Sequence, residues 1–216
     1  MKYFYFLLIL LLTSCIEIID DLKINTDGSG TFKYTVNLSS SKTKVTPILA
    51  LDSLYGEKVP KLNDIKEKVK LFKENLKEQE GISNVIITED YINYIVKLQC
   101  DFKSVEHLES ALKKSVKKLN QNDGYDYDWL SFKNKTLVRK TPVLNLDEIR
   151  KFGERDIDKL KTGTYTSITR FSTKIDTFEN KNSNRSKSNM ALMIKVTPDM
   201  LLINQNLLDN KIILEK

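Results

Sequence analysis

Glycine, proline, histidine and cysteine are all scarce: 7, 4, 1 and 2 of 216 residues. So little glycine and proline excludes collagen-like and linker-like chains and glycine-rich loops that cradle phosphates. One histidine (His107) and two cysteines (Cys15 and Cys100) leave almost nothing for a His/Cys metal site, so neither metal nor cofactor is expected. What is present suits a packed body. Apolar residues make up 40% and charged residues 30%, and the length fits one domain.

The N-terminus reads as an address. Lys2 gives a basic start, and Tyr3 to Leu12 is an unbroken apolar run. A membrane-spanning helix needs about 20 such residues, so this run is too short to be a stable span. A basic start, a short apolar core and a small-residue exit make a secretory signal peptide, here residues 1–14. The exit, Leu12-Thr13-Ser14-Cys15, resembles the lipobox of bacterial lipoproteins. The resemblance implies diacylation of the Cys15 thiol, cleavage just before it, and acylation of the new amino group by fatty chains such as palmitate. The competing reading is an ordinary secreted protein in which Cys15 stands by chance.

Alternation and helical stripes outline the body as a single α+β domain over 15–216. Ile16, Ile18, Leu22 and Ile24, then Phe32, Tyr34, Val36 and Leu38, predict a hairpin turning at Thr26–Gly30, with lipidated Cys15 and the first strand filling 15–25. Pro47 to Tyr55 reads as a short helix or an irregular lid. Leu62, Ile65, Val69, Phe72 and Leu76 form one helical stripe, with Gly81 as its C′ residue. A second hairpin follows over 82–102, turning at Glu89-Asp90. Ser104 is the N-cap of a helix striped by Val105, Leu108, Leu112, Val116 and Leu119. Further on, Tyr125 to Val138 predicts a hairpin turning near Asn134, and Leu146 to Leu160 a weaker helix. Thr164 to Ile175 and Asn189 to Val196 read as strands. Residues 180–188 (NKNSNRSKS) read as a mobile polar loop, and the apolar clusters at 200–203 and 212–214 as packed on the body. Hairpins followed by helices predict an antiparallel sheet with helices packed on one face.

Signatures of chemistry are weak. Cys100 falls on the inward side of its strand and reads as a small buried hydrophobe, with a reactive or intermolecular thiol as the alternative. Asp123 to Asp128 resembles a calcium loop, but the first and last ligand positions fall on Leu119 and Leu130. Gly-x-Ser-x-Gly is missing, and a Ser–His–Asp triad would have to use His107. The expectation is a protein without enzymatic activity. Lys113, Lys114, Lys117 and Lys118 read as a solvated helix face. Lys181, Arg185 and Lys187 are candidate contacts to anionic lipid headgroups; nucleic acid is not expected as a partner of an exported chain.

The segment Leu22-Lys23-Ile24-Asn25-Thr26-Asp27-Gly28-Ser29-Gly30-Thr31-Phe32 is similar to the opening of bacterial LppM-like lipoprotein domains: strand, D-G-[ST]-G turn, strand. The strand, loop and strand around Thr164 to Val196 has a similar outline. The resemblance implies an α+β body with an apolar groove for lipid or glycolipid. The family's C-terminal span has no counterpart in the charged residues 197–216.

Two functions are carried forward: a lipid-anchored binding or assembly module of the cell envelope, with an envelope protein or lipid as partner, and a carrier of an apolar ligand such as lipid or glycolipid. Ile16, rather than aspartate, follows Cys15, which favours the outer membrane. Glu17, Asp20 and Asp21 read either as a cue for surface export or as exposed strand residues. A fold that begins at Ile18 or Leu22 leaves a tether of about 10–25 Å.

Overall fold

A computed structural model of the chain describes residues 16–54, 56–119, 128–141, 161–204 and 206–215. The expected signal peptide, Cys15, Tyr125–Tyr127 and the helix over Leu146–Leu160 lie outside these residues.

The first alternating runs become strands, whereas the expected strand Thr164 to Ile175 stops at Phe171 and Ile175 opens a strand of another sheet. β1 (Glu17–Ile24) and β2 (Gly30–Asn37) pair antiparallel in a register that matches Leu22 with Phe32. Their turn depends on two glycines: Gly28 has a φ of +85°, and a Cβ on Gly30 would collide with the Lys23 carbonyl. After β2 come α1 (Lys42–Ala50), with Pro47 inside it, and a small hairpin of β3 (Ser53–Leu54) and β4 (Glu57–Lys58). The striped helix is α2 (Leu62–Lys77). It stops short of the expected end, so Gly81, with a φ of +75°, serves the turn into β5 rather than the helix cap.

β5 (Ile82–Asp90) and β6 (Ile95–Phe102) form the second hairpin. Its turn is 91–94 and not Glu89-Asp90, because the Asp90 carboxylate accepts from the amides of Ile92 and Asn93 and Tyr94 takes a φ of 56°. Ile92 and Tyr94 therefore belong to the turn. Ser104 caps α3 (Val105–Leu119): its hydroxyl oxygen accepts from the His107 amide at 3.3 Å and bonds the ring Nδ1 at 2.9 Å. β7 (Leu130–Lys133) and β8 (Thr136–Arg139) turn at Asn134-Lys135 as expected. The chain continues through β9 (Thr164–Phe171), β10 (Ile175–Phe178), β11 (Asn184–Arg185), β12 (Ala191–Val196), α4 (Pro198–Ile203) and β13 (Asn210–Leu214).

The strands assemble into a seven-stranded sheet, β11-β12-β9-β1-β2-β6-β5, and a four-stranded sheet, β10-β13-β8-β7, with β3 and β4 apart. The fold class is α+β. One pairing departs from the expected antiparallel sheet: β1 and β9 run parallel, Glu17 beside Thr164 and Ile24 beside Phe171. Two strands far apart in sequence can meet this way because most of the chain lies between them to make the crossover.

The large sheet buries one face. Leu22, Ile24, Phe32, Leu98, Cys100 and Phe102 point inward from it, and Leu76 of α2, Leu108 of α3 and Leu137, Ile175 and Ile212 of the smaller sheet join them in one core. A second cluster gathers Ile194, Val196, Leu201, Leu207 and Leu208 near α4. Among the described residues no helix is long and apolar enough to cross a membrane.

Residues 180–188 are not the free loop that their composition implies. β11 pairs with β12, Asn180 Nδ2 donates to the carbonyls of Leu207 and Asp209, and Arg185 lies over the Phe178 ring and donates to the Asp176 carbonyl.

Candidate functional site

The strongest buried polar cluster joins the two sheets. Even positions of β1 point inward, so Asp20 enters the core beside Leu22 and Ile24; its side chain is 2% exposed. Arg139 reaches it from β8 in bidentate geometry, Nη1 to Oδ1 at 2.8 Å and Nη2 to Oδ2 at 2.9 Å. Parallel register sets Ser167 of β9 beside Asp20, and Tyr165 lies two residues earlier on the same face. Tyr165 donates its hydroxyl to Oδ2 at 2.6 Å and Ser167 to Oδ1 at 3.2 Å. Burial opposes the charge on Arg139, but the Asp20 carboxylate more than offsets it and the guanidinium pKa is raised. The Tyr165 hydroxyl is held well above its ordinary value, by burial first and then by Asp20.

Every lone pair of Asp20 that the cluster needs is used within the protein. The arrangement is a clamp between sheets. Sequence alone did not single it out, since Arg139 is 119 residues from Asp20. The available signal was an aspartate on the apolar side of an alternating strand. Its burial corrects the reading of Glu17, Asp20 and Asp21 as one exposed acidic group: Asp20 is in the core, Asp21 pairs with Arg170 at 2.9 Å, and Glu17 accepts from Asn37 at 3.0 Å.

The second feature is the end of the large sheet where β1 begins. Thr164 donates its amide to the Ile16 carbonyl at 2.7 Å, and a Cβ on Gly163 would meet both that carbonyl and the Pro198 ring at 3.1 Å. The chain arriving from Cys15, the entry to β9 and the start of α4 therefore converge. The first strand starts at Glu17, two residues after Cys15.

Lys181, Arg185 and Lys187 are exposed, and strand register sets Arg185 and Lys187 away from this end. Arg185 is opposite Leu192, which is opposite Thr169, which is opposite Leu22. Lys187 lies still further along, in the turn that leads to Ala191. At about 3.3 Å per residue, Arg185 is roughly 17 Å along the strands from the Glu17 row.

The remaining candidates have local partners. His107 packs against Gly81, which has no room for a Cβ, besides bonding Ser104. Asp128 pairs with Lys113 at 3.0 Å, and Lys113 also meets Glu109. Glu109 Oε1 accepts from the amides of Trp129 at 2.6 Å and Leu130 at 3.1 Å, which fixes α3 to β7. Among the described residues no group of three His, Cys, Asp or Glu is placed to hold a metal ion. Cys100 is fully buried, and burial pushes its thiol from 9.0 to about 12.

No family model and no curated protein matches the chain. A solved structure with a remote resemblance is the folded domain of LppM from Mycobacterium tuberculosis, determined by NMR: 8% identity and a TM-score of 0.44 over 94% of this chain and 92% of that one. A likeness of that size carries no functional argument.

Proposed function

We propose that the chain is a lipid-anchored, non-enzymatic lipoprotein of the cell envelope, working beside its own leaflet as a binding or assembly module for an envelope partner. The observation that carries this reading is the lipobox-like Leu12-Thr13-Ser14-Cys15 directly after the apolar run Tyr3–Leu12. Acyl chains on Cys15 supply about 0.8 kcal/mol per buried CH₂, and two or more chains give stable anchoring where one does not. The start of β1 at Glu17 supports action close to the leaflet. Two residues span at most about 7 Å, which is shorter than the tether expected from the sequence. A body held so near cannot reach across a periplasm. Ile16 after the cysteine favours the outer membrane. The internal bonding of Asp20 and Glu109 supports a structural rather than catalytic use of the buried carboxylates.

Cys15→Ala should move the protein from the membrane to the soluble fraction and leave the uncleaved precursor. A normally cleaved, membrane-bound Cys15→Ala species would overturn the reading. Native mass spectrometry of the detergent-purified protein separates the module from a carrier: an unliganded mass supports the module, and a co-purifying lipid the carrier.

A further inference from the structure

The large apolar side chains left in water concentrate at one end of the fold. Among the described residues the two most exposed are Ile203, at 85%, and Ile92, at 74%. Strand register places the turn carrying Ile92 at the end where β1 begins, and α4, which ends at Ile203, starts there with Pro198 against Gly163. Glu17 is opposite Asn37, Asn37 opposite Ile95, and Ile95 opposite Asp90, so the turn that carries Ile92 projects past the Glu17 row. On the other side, Ile18 is beside Tyr165 and Tyr165 beside Val196; α4 then starts at Pro198 and ends at Ile203.

The helix α1 belongs to the same end. It follows β2 past Asn37, and it is held to the β5–β6 turn by Thr46 Oγ1 to the Tyr94 hydroxyl at 2.9 Å and by Lys42 Nζ to Asn93 at 3.5 Å. It exposes Ile48, with Leu51 just beyond it, and α4 exposes Met200. Among the described residues, five of the nine exposed large hydrophobic side chains therefore belong to the elements that flank the point where the chain leaves for Cys15. The other four lie along the lengths of α2, β5, β12 and β13.

We propose that this end is a membrane-apposed rim. Ile92, Ile203, Ile48, Leu51 and Met200 enter the interfacial layer of the phospholipid leaflet that holds the acyl chains of Cys15, and the strands of the large sheet stand upright on it. The inference rests on the lipid-anchored reading and names the surface through which that anchor is completed. The occupant follows from covalent continuity. Ile16, at the centre of this end, is bonded to Cys15, so the acyl chains and the exposed side chains meet the same lipid. Charge at this end is mixed: Lys61 pairs with Asp52 at 2.7 Å, and the Asp90 carboxyl is held below its ordinary value by Asn93 first and by nearby Lys42 as well. Apolar insertion of this kind persists when salt screens surface charge.

The test uses the full-length acylated protein in phosphatidylcholine vesicles. Ile92→Cys, Ile203→Cys and Lys187→Cys each carry an environment-sensitive fluorophore, with the parent chain as the background for Cys100. Nitroxide-bearing lipid is the quencher. The rim predicts several-fold stronger quenching at 92 and 203 than at 187, unchanged between low and high salt; Ile48→Cys repeats the measurement on α1. A vesicle-bound, acylated chain whose labels at 92, 203 and 48 quench no more than that at 187 overturns the rim, leaves the anchor standing and frees this end for a protein partner. A chain that carries no acyl group on Cys15 overturns both.

Discussion

Burying a carboxylate costs several kcal/mol unless its bonds are met inside the protein, and Asp20 meets them with Arg139, Tyr165 and Ser167. Asp20→Asn keeps the shape but leaves a guanidinium unpaired in the core. It should lower the unfolding free energy by about 3–5 kcal/mol in a urea titration, and Asp20→Leu combined with Arg139→Met should recover most of that loss. Cys100 makes a second prediction. Burial raises its pKa from 9.0 to about 12, so the unfolded chain loses this proton first as pH rises. Stability from this group is full below about pH 9 and declines as pH climbs toward 12. Tyr165 acts in the same sense at still higher pH. Unfolding followed against pH should show the decline, and Cys100→Ala should remove the part that begins near pH 9; an unaltered slope would contradict a buried thiol. These two residues differ in how legible they were. Alternation placed Cys100 inward correctly, because its environment is its own strand and the neighbours beside it. Asp20 was read outward, because its polarity outweighed its parity and its partner arrives from another sheet.

At the scale of elements, the β7–β8 turn shows how local geometry sets stability. Asn134 and Lys135 both take positive φ, 49° and 61°. Asparagine tolerates this well and lysine does not. Relief of the left-handed penalty, about 1–2 kcal/mol, outweighs the entropic cost of glycine, about 0.5–1 kcal/mol, so Lys135→Gly should raise stability by about 0.5–1 kcal/mol, read as a shift in the thermal or urea midpoint; no gain would mean that the Lys135 bond to the Glu215 carbonyl matters more than the backbone cost. Hairpins and the two amphipathic helices were legible because each pattern is written within a dozen or so consecutive residues. The parallel meeting of β1 with β9 was not, since a strand's own sequence does not name its partner. The stretch 180–188 misled for a related reason: its polar side chains implied freedom, but Asn180 and Arg185 spend theirs on the carbonyls of neighbouring segments.

For the whole molecule, the sequence points to an anchor at one end of the chain, and the proposed rim would set that end on the leaflet. The sheet begins two residues beyond Cys15, and the most exposed isoleucines flank that start. Of the three residues expected to contact headgroups, Arg185 and Lys187 lie along the sheet edge away from that start. Orientation, proximity and the proposed partner all depend on Cys15 being the acylated first residue of the mature protein. The measurement that tests this most directly is mass spectrometry of the N-terminal tryptic peptide from membrane-purified protein. The expected result is a peptide running from Cys15 to Lys23, with a diacylglyceryl group on the thiol. A mature chain that starts elsewhere, or a Cys15 peptide at its unmodified mass, would contradict it.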